Sequence, residues 1–159
     1  MPTAGTSGGD SARIGRNASP PSWPRSTARP DVVALQDVWG SNDTTQAHEL
    51  AKALGMHAAF AQPSYPAAPD SDEPDITLGV AILSRWPLHD QTVVTLPARH
   101  RDWHSVILTA RVEHPRGPLP VVATCREHAT VYGDDRIAQA RQLADLGTDP
   151  AFDGPARYR

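Results

Sequence analysis

Few residues in this chain have the type and placement to do chemistry, and the foremost is a carboxylate that follows an apolar run. In RPDVVALQDVWG, Arg29 to Gly40, Pro30 and Asp31 open a turn, because proline fixes φ and restricts the residue before it. Val32 to Leu35 is a short, β-branched apolar run that reads as a buried strand. Gln36 and Asp37 then put an amide and a carboxylate at the strand's carboxyl end. A carboxylate is costly to bury unless something pairs with it. A hard cation such as Mg²⁺ is one such partner, since it takes oxygen ligands and keeps several waters. Capping of the next turn, or pairing with an arginine, is the alternative.

A second group closes the strand VVATCREH, where Cys125, Arg126, Glu127 and His128 follow Thr124. Glu127 and His128 can reach the same cleft as Asp37 if the strand register is shifted. Cys125 suits a small buried position, and a soft thiolate matches Mg²⁺ poorly. Arg85, after the run TLGVAILS, can hold a phosphate bidentately or pair with the backbone or a surface carboxylate. The loop PARHRDWH offers either a cationic, base-stacking platform or an exposed connection with Trp103 buried. Asp70, Asp72, Glu73 and Asp75 cluster in a loop with Pro63, Pro66, Pro69 and Pro74, but lack the Gly and terminal Glu of an EF-hand.

The elements that must position these groups read as alternating strands and helices. Asp43 and Gln46 form a capping box ahead of a helix whose stripe is Ala47, Leu50, Ala51 and Leu54, ended by Gly55. His48 and Glu49 read as solvated. Met56 to Ala61 is a strand with Phe60 inward, and Thr77 to Ser84 is another, with Gly79 marking a bulge or close backbone approach. Gln91 to Leu96 is a further strand. Ser105 to Glu113 and Leu119 to Cys125 form a hairpin across HPRGP. Asp134 caps a last helix with Ile137, Ala140, Leu143 and Ala144 on its packed face, ended by Gly147. Residues 1–28 hold no period and carry Pro20, Pro21 and Pro24, so disorder is expected there.

A chain of 159 residues with net charge −3 suits one domain with its own core and no bulk basic field, hence no strong nucleic-acid signature. The single Cys125 rules out an internal disulfide and suits a reducing compartment. No apolar run approaches a membrane span or a signal-peptide core, so a cytoplasmic protein is expected.

Three segments carry a resemblance. PDVVALQDVW resembles the Pro-Asp-Val-Val-x-Leu-Gln-Glu-Val segment of the endonuclease/exonuclease/phosphatase family, the DNase I-like fold. LGVAILSRWPL is similar to that family's Gly-x-Ala-Ile-Leu-Ser-Arg-x-Pro-Ile block, and Arg136 and Gln139 match an Arg-x-x-Gln helix that follows a Thr-His strand. The resemblance spans Arg29 to Gly147, the front half of the usual domain, with residues 148–159 as a tail. It implies an α/β fold, two mixed sheets face to face with helices outside, incomplete in this chain. It implies a phosphoesterase using Mg²⁺ or Mn²⁺ on a phosphoester of unknown class, with Asp37 in the place of the metal-binding Glu.

The chain also departs from the family. Thr124 matches the Thr-His-Leu strand end, but Cys125 stands where the His belongs and Arg126 where the Leu belongs. Asn17 follows no strand-like run, so the family's first Asn is not carried onto it. Neither the Gly-Asp-x-Asn strand end nor the Ser-Asp-His segment occurs; Gly133-Asp134-Asp135-Arg136 begins like the former and opens a helix. The resemblance therefore implies a truncated member, weakly active or inactive alone. The alternative is a non-catalytic remnant that binds a partner, or itself, through an open sheet.

Overall fold

The computed structural model describes residues 29–41, 43–63, 77–100 and 103–150. The expected disorder of residues 1–28, the acidic proline-rich loop over 64–76 and the tail from 151 lie outside them. The elements are β1 (Val32–Gly40), α1 (Gln46–Leu54), β2 (His57–Ala61), β3 (Thr77–Ser84), β4 (Leu88–Thr95), β5 (Val106–Val112), β6 (Leu119–Thr124) and α2 (Gly133–Gly147). They form two three-stranded sheets, ordered β1-β3-β2 and β4-β5-β6. Pairing is antiparallel throughout, where the resemblance implied mixed sheets. No described helix is long and apolar enough to cross a membrane.

The central strand of each sheet is its most buried, as alternation on two covered faces requires. On β3, Val80 and Ile82 point to the other sheet and meet Val106, Leu108 and Ala110 of β5. Ala81 and Leu83 point outward, where they pack with Ala47 and Ala51 of α1. Gly79 is a close approach, as expected. A Cβ there would run into the Ala61 carbonyl oxygen and lie 2.7 Å from the Phe60 ring. The sheet can therefore tuck Phe60 across it only if that side chain is absent.

Both helices depart from the sequence reading in instructive ways. Thr45, not Asp43, caps α1: its backbone is extended and its Oγ1 accepts from His48 N at 3.2 Å. Ala47 and Ala51 alone are buried; Leu50 and Leu54 stay exposed on the flanks. Alanines let the helix axis sit close to the sheet, and that proximity leaves no room for leucine between them. The buried residues of α2 are Asp135 and Gln139, while Ile137 is exposed and Ala140 and Ala144 face outward. The expected packed face is thus replaced by hydrogen bonds. Asp134 does not cap the helix; Tyr132 holds that position without a side-chain bond.

The strand bounds shift too. β1 runs on past Leu35 to Gly40, and β4 begins at Leu88. β1 and β6 are both edge strands, they face one another across the sandwich, and Ala34 between them is exposed.

Candidate active site

β1 does not end where its character changes; it bulges. Leu35 pairs with Ala81 and Val38 with Gly79, so Gln36 and Asp37 together oppose Val80 alone. Asp37 takes φ 52°, the left-handed region that Asp tolerates better than most residues. Such a bulge re-aims a side chain. Here Leu35 and Val38 both stay on the α1 side. Gln36 and Asp37, although consecutive, both turn toward the other sheet. Gln36 Nε2 donates to the Thr124 carbonyl at 2.5 Å, tying β1 to the end of β6. That tie brings Asp37 beside Cys125, the residue after Thr124.

Asp37 and Cys125 line one cleft of about 180 Å³. Arg126, His128, Leu78 and Trp103 also line it. Among the described residues the Asp37 carboxylate accepts no hydrogen bond and makes no ion pair, so neither a turn cap nor an arginine partner is seen there. Burial, then the charges of Asp37 and Glu127, push the Cys125 thiol above its usual range. Asp37 is exposed, not buried as a strand-end carboxylate was expected to be, so the cost of burial does not call for a cation; what leaves it open to one is that its carboxylate has no partner among the described residues. One carboxylate with retained waters is an adequate anchor for Mg²⁺. The thiol contributes little to such a hard ion.

Of the two following candidates, His128 reaches the cleft and Glu127 does not line it. His128 is 81% exposed, with Nδ1 4.0 Å from Glu127 Oε1. The Glu127 side chain is buried and accepts from Ala129 N at 2.7 Å. Its backbone N donates to Gln139 Oε1 at 2.8 Å, and Gln139 Nε2 donates to the Pro97 carbonyl at 2.9 Å. Gln139 is thus the brace that fixes the 125–128 segment under α2. Sequence periodicity missed it because it scores apolar residues only; the Arg-x-x-Gln match was the available signal. Arg85 lies at the other end of β1. Its Nη1 pairs with Asp31 Oδ1 at 2.9 Å in a separate cleft beside Trp86 and His114. The structure does not bring Arg85 together with Asp37.

One other group of possible metal donors stands among the described residues: His100, Asp134 and Asp135. Its members are already engaged. Asp135 takes the Arg99 N–H on both oxygens, at 3.1 and 3.2 Å, and Asp134 meets His100 Nε2 at 3.1 Å. The His100 bond holds the Asp134 carboxyl below the usual range. This group pins the 96–100 loop to the start of α2.

Comparison with known proteins bears on the family and the fold. The family model described as Endonuclease/Exonuclease/phosphatase family matches residues 13–156. The chain belongs to the endonuclease/exonuclease/phosphatase family. The match is longer at both ends than the three sequence motifs. An endonuclease/exonuclease/phosphatase from Beutenbergia cavernae DSM 12333 is similar at 26% identity and TM-score 0.59, over 73% of this chain and 35% of that one. The human Nocturnin catalytic domain, solved with a bound sulfate anion, is similar in fold at 19% identity and TM-score 0.58, over 77% of this chain and 47% of that one. This family member therefore spans about a third to a half of the solved chains it matches. No curated protein matches it.

Proposed function

We propose that this chain carries the metal-anchoring part of a divalent-metal-dependent phosphoesterase, with Asp37 as the oxygen ligand for Mg²⁺ or Mn²⁺. The observation that supports it most is the bulge. It turns a carboxylate with no protein partner among the described residues into a cleft between the sheet ends. When bound, the cation supplies polarisation of a phosphoryl oxygen. Arg126, which lines the same cleft, binds a phosphate oxygen through its guanidinium. The exposed His128 imidazole accepts or returns a proton at Nε2, with the buried Glu127 carboxylate 4.0 Å from its Nδ1. The walls of the cleft exclude water from one side of the bound ester.

Turnover by this chain alone is slow or absent in this reading. The water-preparing Gly-Asp-x-Asn and charge-stabilising Ser-Asp-His segments that the family implies do not occur in its sequence. Calorimetric titration with MnCl₂, on wild type and Asp37→Asn, tests the proposal. Binding in the first and loss in the second are expected, with little hydrolysis of bis(p-nitrophenyl) phosphate by either. Mn²⁺ binding that ignores Asp37→Asn refutes the assignment, and fast hydrolysis refutes the incompleteness.

A second reading rests on the flank where the β1 and β6 edges lie side by side with Ala34 exposed. Unpaired strand edges invite pairing with another chain. Association that persists in EDTA, measured by sedimentation, favours that reading; a monomer that tightens with Mg²⁺ favours the first.

A further inference from the structure

A second cleft lies at the opposite end of β1 from Asp37 and takes no part in the proposed chemistry. Its volume is about 630 Å³, within the range of built ligand pockets. Trp86, Pro115 and Leu119 supply apolar lining, and Asp31, Arg85 and Arg116 supply charge. The His114 ring meets the Trp86 ring in a T-shape, with centroids 4.4 Å apart and planes at 78°. His114 Nδ1 accepts the Arg116 N–H at 3.1 Å, and the His114 carbonyl accepts the Gly117 N–H at 2.9 Å. The turn that carries Arg116 is thereby fixed relative to Trp86. The charges around the cleft do not balance. Arg85 is satisfied by Asp31 Oδ1 at 2.9 Å and by the Arg29 carbonyl at 3.4 Å. Arg116 and Arg29 are both exposed, and their guanidiniums meet no acid among the described residues.

The densest acidic stretch of the sequence has the opposite character. Residues 69–75, PDSDEPD, carry Asp70, Asp72, Glu73 and Asp75 and no base. Pro69 and Pro74 lie among these acids, and proline-bearing segments are what aromatic-lined grooves take. From this complementarity we infer that the cleft between Trp86 and Arg116 receives residues 69–75 of a second copy of the chain. A copy's own acidic stretch cannot fill its own cleft. That stretch is tethered at the far end of β3, where Thr77 pairs with Gly40 and its Oγ1 donates to Gln62 Oε1 at 3.0 Å. From Thr77 to Arg85 the strand runs about 26 Å, at roughly 3.3 Å per residue. Even fully extended, Asp72 and Glu73 stay within about 18 Å of Thr77 and Asp70 within about 25 Å, so at most one acid comes near. Residues 1–28 are a poor substitute, since they carry Arg13, Arg16 and Arg25 against Asp10 alone. Donor stretch and cleft lie at opposite ends, so two antiparallel copies side by side fill both clefts, whereas a head-to-tail arrangement adds copies without closing. The contact is independent of the cation at Asp37 and of strand pairing.

The test is sedimentation of the full chain in EDTA, at 50 and at 500 mM NaCl. Association at the lower salt that is lost at the higher is expected, because exposed ion pairs are screened. Arg116→Glu is expected to weaken it by about 2- to 30-fold, from the loss of one exposed pair and a repulsion of similar size. The triple variant Asp70→Asn, Asp72→Asn, Glu73→Gln should weaken it as well. Mixing the two variants separates docking from folding. The first keeps its acidic stretch and the second keeps its cleft, so together they should form a 1:1 pair that does not grow. A synthetic peptide of residues 66–77 should shift the Trp86 indole resonance of the triple variant. A closed pair and a growing series of wild-type copies both support the inference. A chain that stays monomeric at 50 mM NaCl and ignores the peptide overturns it. Association that survives 500 mM NaCl, or that ignores Arg116→Glu, overturns it too and points to the strand edges. An oligothymidylate that displaces the peptide from the cleft at lower concentration assigns the cleft to another polyanion and also overturns it. None of these results touches Mn²⁺ binding at Asp37, whose loss in Asp37→Asn decides the phosphoesterase reading separately.

Discussion

Replacing Asp37 in series separates what its backbone does from what its carboxylate does. With φ at 52°, an ordinary L-residue at this position carries roughly 1–2 kcal/mol of steric cost. Asn shares the tolerance of Asp for this region, so Asp37→Asn should unfold at nearly the same urea concentration. Glycine has no such cost but loses more freedom on folding, about 0.5–1 kcal/mol, so Asp37→Gly should stay within about 1 kcal/mol of wild type. Valine is the harsh case, because branching at Cβ crowds the left-handed region, and a cost of about 1–3 kcal/mol is expected. With a urea slope of about 1–3 kcal/mol per molar, that displaces the Asp37→Val midpoint by roughly 1 M. Mn²⁺ binding, followed by calorimetry on the same proteins, should disappear in all three. Stability would thus order as Asn and Gly above Val, while metal binding would not order at all. A valine variant as stable as the asparagine one would show that β1 does not bulge as described. A glycine variant that still binds Mn²⁺ would remove the carboxylate from the site.

Three further outcomes are expected. Gly79→Ala should lower the stability by about 1–3 kcal/mol, read from the urea midpoint, because the new methyl meets a backbone carbonyl that cannot swing aside; an unchanged midpoint would mean β2 and β3 are not packed as described. Gln139→Leu leaves the Glu127 N–H and the Pro97 carbonyl without their partner and should cost about 1–3 kcal/mol for each group kept from water, read as faster amide exchange across 96–100 and 125–129; unchanged exchange would contradict the brace. The raised Cys125 thiol means the folded chain holds that proton more tightly than the unfolded chain, so this contribution is intact below the unfolded thiol value of about 8.5 and fades as pH climbs through the folded value. Alkylation of this single cysteine at pH 8 should therefore be slower than in the urea-unfolded chain and faster again in Asp37→Asn, and equal rates in all three would place the carboxylate elsewhere.

The parts legible in the sequence are those whose burial is apolar and whose neighbours are near. The run from Thr77 to Ser84 and the hairpin across HPRGP could be read because each residue's face follows from alternation alone. Gly79 could be read because a glycine inside a strand has few other reasons to be there. The bulge could not, since whether Gln36 and Asp37 oppose one residue or two depends on Val80, more than forty positions away. The face of α2 was misread for another reason: Asp135 and Gln139 are buried by satisfied hydrogen bonds, which a count of apolar residues treats as exposure. In α1 the leucines of a regular stripe lost to alanines, because the distance between helix and sheet is set by both partners. Asp37 was found from its type and place, but its orientation was a property of the register.

The amide of Gln36 has a reach beyond its own bond. It spans from one layer of the sandwich to the other on the flank where Ala34 is exposed. Lateral slip of one layer past the other would open the distance between the carboxylate and the thiol before it disturbed anything in the interior. The pairing of Asp37 with Cys125 across the cleft is in that sense a strain gauge for the sandwich. Substitutions deep between the layers, at Ile82 or Leu108, should be felt there first, although neither side chain lines the cleft.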